Sequence, residues 1–338
     1  MTARACILGC AGPVLTSEEA AFFRRARPWG FILFRRNIET PDQTRALVNA
    51  LRECVGREDA PVLVDQEGGR VQRLGPPHWR RYPAGRAYGE LPVESRREIT
   101  RLGARLIAHD LAALGINVDC LPVLDVPDPQ MHEVIGDRAY DPKPEGVALL
   151  GRAACEGLMA GGVLPVVKHI PGHGRARADS HLELPVVDAS RAELEARDFI
   201  PFQALSDMPM AMSAHVVYAD LDPSLPATLS RRVLDVAVRG IIGFDGLLMT
   251  DDLSMKALGG DFDDRAAAAL DAGCDMILHC NGDMAEMQAV AQGTWFLEGR
   301  AAERAYAALQ RTPKRVEPFD AAAANARFDA AFAGRLAA

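Results

Sequence analysis

The sequence predicts a (β/α)8 barrel of the TIM type. Eight short apolar runs alternate with amphipathic segments along the 338 residues, and strands covered by helices on both faces have this apolar character. Charged residues directly follow several of the runs, as expected where barrel strands end at an active-site face. The alternative, a doubly wound open sheet, would usually have fewer strands and a glycine-rich dinucleotide turn, and no GxGxxG follows the first run.

The predicted strands are short and rich in β-branched residues. They are Ala5–Gly9, Gly30–Phe34, Pro61–Asp65, Val118–Leu124, Leu164–His169, Met210–His215, Gly246–Asp251 and Met276–Cys280. Helical periodicity marks the segments between them, most clearly Thr40–Val55, where Pro41 suits the first helical turn. The other predicted helices are Glu94–Leu114, Gly146–Ala160, Ser190–Leu205, Ser230–Arg239 and Lys256–Ala272.

The chain shows no linker and no internal repeat. We therefore predict one catalytic barrel domain over residues 1–338, in which the alanine-rich tail Glu317–Ala338 forms a helix against the barrel.

Composition restricts the partners. The net charge is -8, and no strongly basic run stands out, which argues against nucleic acid. Seven cysteines are scattered without a CxxC pair, as in a protein with reduced thiols. The N-terminal apolar run is too short for a signal peptide or a membrane span. We expect a cytoplasmic monomer with no membrane partner, no metal and no cofactor.

Charged or titratable residues follow five consecutive predicted strands. They are Asp65, Asp125, Lys168-His169, His215 and Asp251-Asp252. Loops are polar in any protein, so one or two such residues would mean little. Five of them, with lysine and histidine included, favour an active site at the carboxyl ends of the strands.

Two segments combine carboxylates with arginines. In VLVDQEGGRVQRL (62–74), Asp65 follows the apolar strand and two glycines turn the chain before Arg73. The segment is either a loop with surface arginines or a sugar site, in which the carboxylate accepts bonds from hydroxyls and the arginine holds polar oxygens. Arg138 in VIGDRAY (134–140) is weaker, because an adjacent Asp-Arg pair is usually solvated.

Asp251 directly follows an apolar strand in GLLMTDDLSM (246–255). Only one of Asp251 and Asp252 can readily face the barrel axis, since adjacent side chains of a strand point in opposite directions. A buried carboxylate is costly without a partner, so Asp251 is expected to have partners or a chemical role. The alternative is that both residues cap the next helix.

The segment KHIPGHGRARADSHLELP (168–185) has three possible explanations. A metal site would use His169, His173, Asp179 and His181, but metal-dependent barrels draw ligands from several strands, and no HExxH is present. A phosphate cradle would need the glycine-rich stretch to open into a helix, and no clear helix follows.

The third explanation is a loop that carries an acid–base pair. Asp179 and His181 are two residues apart and would lie on one face of an extended segment. The carboxylate would orient the imidazole, which could then act as an acid in one step and as a base in the next. The prolines and glycines would let the loop close over a substrate. With Asp251 as nucleophile, these are the roles that retaining glycoside hydrolysis requires.

The motifs together resemble those of the glycoside hydrolase family 3 β-N-acetylhexosaminidases of the bacterial peptidoglycan-recycling type. They are DQEGGRVQR (65–73), IGDR (135–138), KHIPGHG (168–174), DSH (179–181) and TDDLSM (250–255). KHxPGHG followed by DSH is highly specific, whereas the other motifs carry weight through their order. Ile170 stands where phenylalanine is usual, and the inserted Arg175–Ala178 is basic, which bears on loop motion and on contact with acidic peptide stems.

The resemblance implies roles for individual residues. Asp251 would be the nucleophile that forms a covalent glycosyl-enzyme, and His181 would be the acid/base with Asp179 as its partner. The residues implied to bind the terminal N-acetylglucosamine are Asp65, Arg73, Arg138, Lys168 and His169. Relatives of this type are cytoplasmic and release β-linked N-acetylglucosamine from anhydromuropeptides. Family members that act on glucosides often have a second domain, for which we expect no room in this chain.

The leading function is therefore an exo-acting β-N-acetylglucosaminidase with a muropeptide as its small-molecule carbohydrate substrate. Because a histidine acid/base would not repel phosphate, a β-N-acetylglucosaminide phosphorylase is the alternative. A metal-dependent barrel hydrolase and a non-catalytic sugar-binding barrel represent other classes. The roles of Glu67, Asp125, His173 and His215 stay open at this stage.

Overall fold

Eight parallel strands close into a barrel in the computed structural model, which describes residues 3–129, 132–180, 182–313 and 315–333. In chain order the strands are β1 Arg4–Leu8, β2 Pro28–Leu33, β3 Val62–Val64, β4 Val118–Asp119, β5 Leu164–Ile170, β6 Met210–Ser213, β7 Leu247–Asp252 and β8 Met276–His279. Each strand pairs with its neighbours in sequence, and β8 closes the ring on β1 with Ile277 opposite Cys6. The predicted (β/α)8 fold is confirmed.

Helices cover the barrel, and local sequence sets their ends. The α-helices are Ser17–Ala26, Pro41–Val55, Gly85–Gly89, Val93–Ala112, Pro144–Ala160, Arg191–Glu193, Ile200–Ala204, Arg231–Val233, Phe262–Ala272, Met284–Gly293, Gly299–Gln310 and Ala321–Ala331. The π-helical segments Leu194–Asp198 and Leu234–Ile241 continue two of them, and 3-10 turns occur at Arg35–Asn37, Gly136–Arg138 and Ala227–Leu229. Thr40 caps the second helix by accepting a bond from the backbone of Gln43, and Gly56 ends it in the left-handed region.

The helix predicted over Lys256–Ala272 begins later than expected, at Phe262. Gly260 has a φ of 87°, which L side chains rarely adopt, and Asp261 follows it with extended backbone at the N-cap position. The prediction of an earlier start was therefore wrong. Residues 253–260 form turns that lead away from the end of β7.

Strand β4 is shorter than the predicted Val118–Leu124, because regular pairing stops at Asp119. Pro122 lies three residues further on and has no N–H to donate to a neighbouring strand. The chain nevertheless stays beside β5, where the Leu124 N–H donates to the Lys168 carbonyl at 2.6 Å. Asp125 thereby reaches the same barrel end as β5.

Within the described ranges, two small sheets lie outside the barrel. One is a hairpin of Gln66–Gly68 and Val71–Gln72, and the other joins Val186–Val187, Val217–Tyr218 and Asp222–Pro226. Gly68 is required at the hairpin, since its φ is 97° and a Cβ there would lie 2.2 Å from the Pro83 carbonyl oxygen. The hairpin brings Arg73 back towards the end of β3.

The last described helix, Ala321–Ala331, packs Phe328 against Tyr82 and Tyr88. All seven cysteines are free thiols, and only Cys54 is not fully buried. In the described portion of the chain, no helix is both long and apolar enough to cross a membrane. That residues 1–338 form one domain stays a prediction.

Candidate active site

A cavity of about 140 Å³ lies at the carboxyl ends of the barrel strands. It is lined by six residues that the sequence predicted for the site: Asp65, Arg73, Arg138, Lys168, His169 and Asp251. Glu67 and Asp252 also line it, together with apolar side chains that include Phe34, Val71, Met212 and Met255. The barrel therefore brings together side chains that are up to 186 positions apart (251 − 65).

Asp65 forms ion pairs with two cations. One carboxylate oxygen lies 2.9 Å from Lys168 Nζ, and the other lies 3.0 Å from Arg73. Burial alone would raise the pKa of Asp65, but the charges of Lys168 and Arg73 outweigh it and lower that pKa below its usual range. Asp65 is thus an ionised acceptor at the wall of the cavity.

Glu67 forms a second ion-pair cluster beside the first. Both of its oxygens accept bonds from Arg138 at 2.8 Å, and Lys168 Nζ lies 2.6 Å from Oε1. Burial would raise the pKa of Glu67, but Arg138 and Lys168 lower it to about 2. Arg138 is therefore turned inward, while the adjacent Asp137 pairs with Arg70 at the surface.

Lys168 connects the two clusters, and its side chain is 2% exposed. Burial lowers the pKa of a lysine, but the carboxylates of Asp65 and Glu67 reverse this and raise the pKa of Lys168 above its ordinary value. The ammonium is therefore charged at neutral pH. Its loss would leave two buried carboxylates short of positive charge.

His169 lies between two carboxylates. Its Nδ1 is 2.7 Å from Asp125 Oδ2, and its Nε2 is 4.0 Å from Asp251 Oδ2. Asp125 is fully buried, and burial would raise its pKa, but His169 lowers that pKa to about 2. An Nδ1–H that donates to Asp125 leaves Nε2 facing the cavity, where it can meet a substrate hydroxyl.

Asp251 lies near the end of β7 and lines the cavity. Its Oδ1 accepts a bond from the Asp252 N–H at 2.8 Å, which orients the carboxylate. Oδ2 faces His169, and among the described residues no lysine or arginine forms an ion pair with Asp251. Burial would raise the pKa of Asp251, but His169 and His215 keep it below its ordinary value. The carboxylate is ionised and has an oxygen directed to the cavity.

Asp252, by contrast, organises the backbone. Its Oδ1 accepts bonds from the N–H groups of Ser254 and Cys280, both at 3.1 Å. Asp252 therefore joins the ends of β7 and β8. Asp251 and Asp252 both line the cavity, but both oxygens of Asp252 accept hydrogen bonds, since its Oδ2 accepts a bond from Ser254 Oγ.

His215 contacts the same strand end through the Asp252 carbonyl. Its Nε2 lies 3.1 Å from the Asp252 carbonyl oxygen, and its Nδ1 lies 2.8 Å from Thr228 Oγ1. Burial lowers the pKa of His215, so the ring is neutral at neutral pH. It contacts the peptide next to Asp251 and does not line the cavity.

The predicted acid–base pair is described only in part. Asp179 is half-buried, and its carbonyl accepts bonds from the N–H groups of Leu182 and Glu183. The backbone of Leu182 and Glu183 thus contacts that of Asp179. His181 lies outside the described residues. Within the described ranges, no three His, Cys, Asp or Glu side chains are grouped to hold a metal ion.

The sequence did not identify the carboxylates that hold the charged side chains of the site in place. Glu67 and Asp125 hold Lys168, Arg138 and His169, yet the sequence alone offered them no role. Their positions beside Asp65 and after strand four were the available signals. Phe34 was missed as well, although it directly follows β2, and Arg73 lies over its ring at 4.8 Å.

Comparison with protein families gives one match over most of the chain. Residues 16–310 match the model of the glycosyl hydrolase family 3 N terminal domain. A curated protein of Pseudomonas aeruginosa named beta-hexosaminidase is 41% identical over 308 residues, covering 90% of this chain and 86% of that protein. A beta-hexosaminidase of Alkalilimnicola ehrlichii is also 41% identical, over 81% of this chain and 80% of the relative.

Solved structures have the same architecture. NagZ from Neisseria gonorrhoeae, in complex with N-trifluoroacetyl-D-glucosamine, is similar with a TM-score of 0.85 and 32% identity, covering 99% of this chain and 97% of that one. A glycoside hydrolase family 3 beta-N-acetylglucosaminidase from Paenibacillus has a TM-score of 0.86 and 29% identity, covering 97% of this chain and 67% of the other.

Proposed function

The chain belongs to glycosyl hydrolase family 3, and from that premise we propose that it is a retaining exo-β-N-acetylglucosaminidase acting on peptidoglycan-derived muropeptides. It is a glycosidase of the β-hexosaminidase type. The proposal adds the substrate, the stereochemical course and the residues that carry out the reaction.

The observation that carries the proposal is the state of Asp251. Its carboxylate is ionised, faces the cavity, and is paired with no lysine or arginine among the described residues, whereas Asp65 and Glu67 in the same cavity are both ion-paired. An ion-paired carboxylate is a poor nucleophile because its lone pairs are committed to cations. Asp251 retains an oxygen that can attack a sugar carbon.

In the first proposed step, Asp251 Oδ2 forms a bond to the anomeric carbon as the bond to the leaving-group oxygen breaks. His181 gives a proton to that oxygen, and the products are a covalent glycosyl-enzyme and a free alcohol. In the second step, His181 removes a proton from water. The water oxygen bonds to the anomeric carbon, and Asp251 departs as a carboxylate. Two inversions give net retention.

The cavity wall supplies the contacts that we assign to the sugar. Asp65 accepts bonds from hydroxyl groups, and Arg73, Arg138 and Lys168 donate to hydroxyl or carbonyl oxygens. His169 presents Nε2 beside Asp251 and so would contact the sugar near its reacting carbon. These ion pairs hold the donors and acceptors in place before the substrate binds, which lowers the ordering cost of binding.

The choice of N-acetylglucosamine rests on similarity. The gonococcal NagZ structure holds N-trifluoroacetyl-D-glucosamine, and the motifs of this chain resemble those of the peptidoglycan-recycling type. A cytoplasmic, monomeric enzyme with one catalytic domain and a C-terminal helical tail belongs to the same proposal. So does the assignment of Asp179 as the partner of His181.

The experiment that tests the proposal compares p-nitrophenyl β-N-acetylglucosaminide with p-nitrophenyl β-glucoside, each with and without inorganic phosphate. We expect the N-acetylglucosaminide to be hydrolysed much faster, with phosphate neither required nor incorporated, and the β-anomer released first by NMR. Sugar-1-phosphate as the main product would indicate the phosphorylase. An initial α-anomer would contradict double displacement, and loss of activity with a chelator would favour a metal-dependent hydrolase.

Replacing His181 by alanine is expected to slow substrates with poor leaving groups about 10²–10⁴-fold in kcat/KM, the usual contribution of a general acid. Substrates with activated aryl leaving groups should lose much less, because they depart without a proton. The measurement is kcat/KM against leaving-group pKa. The matched control is His78→Ala, an exposed histidine, which should leave the slope unchanged. Equal loss on all leaving groups in the His181→Ala variant would rule out the acid role.

A further inference from the structure

The segment that leads from β5 to Asp179 is held by hydrogen bonds near its start, at His173 and Arg175. The backbone N–H of His173 donates to Asp125 Oδ1 at 2.7 Å, and Arg175 Nε donates to Asp198 Oδ2 at 2.7 Å. Asp125 and Asp198 are both buried. The base of the loop is therefore held by two buried carboxylates.

Ser180 forms two further hydrogen bonds, one through its side chain and one through its backbone. It is 3% exposed, although it directly follows the half-buried Asp179. Its Oγ lies 3.2 Å from His173 Nε2, and its carbonyl accepts the N–H of Ala257 at 3.2 Å. The side chain of Ser180 is thus tied to the base of the loop. Its backbone is tied to residues 253–260, which follow the strand of Asp251.

His173 is suited to be a permanent partner for this serine. Burial lowers the pKa of His173 to about 4, so the ring is neutral at neutral pH. Its bond to Ser180 is therefore a bond between two buried, neutral groups. Breaking such a bond leaves a buried polar atom unsatisfied, which costs more than the bond itself contributes.

The same carboxylate reaches both functional halves of the site. Asp125 Oδ2 holds the imidazole of His169, which faces Asp251, and Asp125 Oδ1 holds the backbone of His173. The contacts from Asp125 through His173 to Ser180 thus form one continuous series. They connect the wall of the cavity to the residue between Asp179 and His181 in the sequence.

We propose that His173 and Ser180 are positioning residues that hold the described end of this loop, up to Ser180, beside the turns that follow Asp251. Neither residue touches the substrate in this proposal, which rests on the proposed function. They act on the step in which a proton moves to the leaving group, because a proton donor must lie within hydrogen-bond distance of its acceptor. The binding of the sugar depends on other residues and is affected little.

The test is Ser180→Ala, assayed with aryl N-acetylglucosaminides whose leaving groups span poor to activated. We expect kcat/KM to fall about tenfold for the poorest leaving groups, as for the loss of one hydrogen bond, and to change little for the most activated. KM for activated substrates should stay near that of the wild type. Ser180→Thr keeps a hydroxyl and should therefore retain most of the wild-type kcat/KM for these poor leaving groups.

The matched control is Ser230→Ala, another buried serine, whose hydroxyl caps a helix by accepting the Val233 N–H. That variant should lose stability, but the dependence of its kcat/KM on the leaving group should match that of the wild type. His173→Leu should reproduce the Ser180→Ala slope. The double variant should be no worse than the more affected single one, since both remove the same contact.

A uniform loss over all leaving groups in Ser180→Ala, or no loss at all, would overturn the positioning role. So would additive effects in the double variant. These outcomes differ from failure of the proposed function, in which the wild-type enzyme itself would not hydrolyse aryl N-acetylglucosaminides. If His173→Leu does not fold, the Ser180 variants decide the question alone.

Discussion

Replacing Asp251 by alanine is expected to lower kcat/KM for aryl N-acetylglucosaminides by at least about 10⁴-fold, as for removal of a catalytic nucleophile. The physical reason is that every other carboxylate described at the cavity has its oxygens committed. Asp65 and Glu67 are ion-paired, and Asp252 accepts backbone bonds at Oδ1 and a bond from the Ser254 hydroxyl at Oδ2. The measurement is steady-state kinetics on enzyme shown to be folded by circular dichroism.

Added azide makes this test sharper. In the Asp251→Ala variant, azide can occupy the vacated space and attack the anomeric carbon, giving the α-glycosyl azide. The matched control is Asp252→Asn, which removes the neighbouring charge but keeps an acceptor oxygen, and it should lose far less activity. Near-normal turnover by Asp251→Ala without azide would refute the nucleophile assignment.

The second large effect is expected from Lys168→Met. The substitution removes the buried ammonium that Asp65 and Glu67 share, and breaking a buried ion pair in this way costs about 3–5 kcal/mol of stability. Sugar binding should weaken as well, because the cavity loses a donor. The free energy of unfolding from urea titration and kcat/KM for the N-acetylglucosaminide provide the two measurements.

The pH dependence of that stability loss has a definite sign. In the wild type the pKa of Glu67 is lowered to about 2, so the pairing stabilises the fold above the ordinary carboxyl pKa. The stabilisation is lost as the pH falls through the folded value. The difference between the wild type and Lys168→Met should therefore narrow as the pH falls from about 4.5 towards 2. A difference independent of pH would contradict this account of Lys168.

Two companion variants make the Lys168 result specific. Lys143→Met is the same substitution at an exposed lysine and should change stability by less than about 0.5 kcal/mol. The double variant Lys168→Met with Glu67→Gln should lose less stability than the sum of the two single variants, because both substitutions remove the same Lys168–Glu67 ion pair. Additivity of the two single losses would show that the ion pair is not the cause.

Much of the fold could be predicted because the residues that are buried in the strands and helices are also the apolar residues of the sequence pattern. Strand β2 is buried at every position, and its sequence is accordingly apolar throughout. The Thr40-Pro41 pair marked a helix start that the structure confirms. Asp65, Lys168, His169 and Asp251 could be placed near one another because the ends of parallel barrel strands meet at one face.

The rest depended on contacts that no local pattern reveals. Arg138 is next to Asp137 in sequence, yet its partner is Glu67, 71 positions away. His169 pairs with Asp125 beside the neighbouring strand, 44 positions away in the sequence. The start of the helix at Phe262 depends on the backbone of Gly260, which the alanine-rich pattern after it conceals. Such pairings arise from the closed barrel and not from spacing along the chain.

The central claim is that Asp251 forms a covalent bond to the sugar, and its most direct test is trapping of that intermediate. A 5-fluoro derivative of N-acetylglucosaminyl fluoride slows the hydrolysis of a glycosyl-enzyme and lets it accumulate. We predict a protein mass increased by one sugar residue, with the label on the proteolytic peptide that contains Asp251. Labelling of a peptide without Asp251, or turnover of natural-type substrates with no covalent species and an α-configured first product, would contradict it.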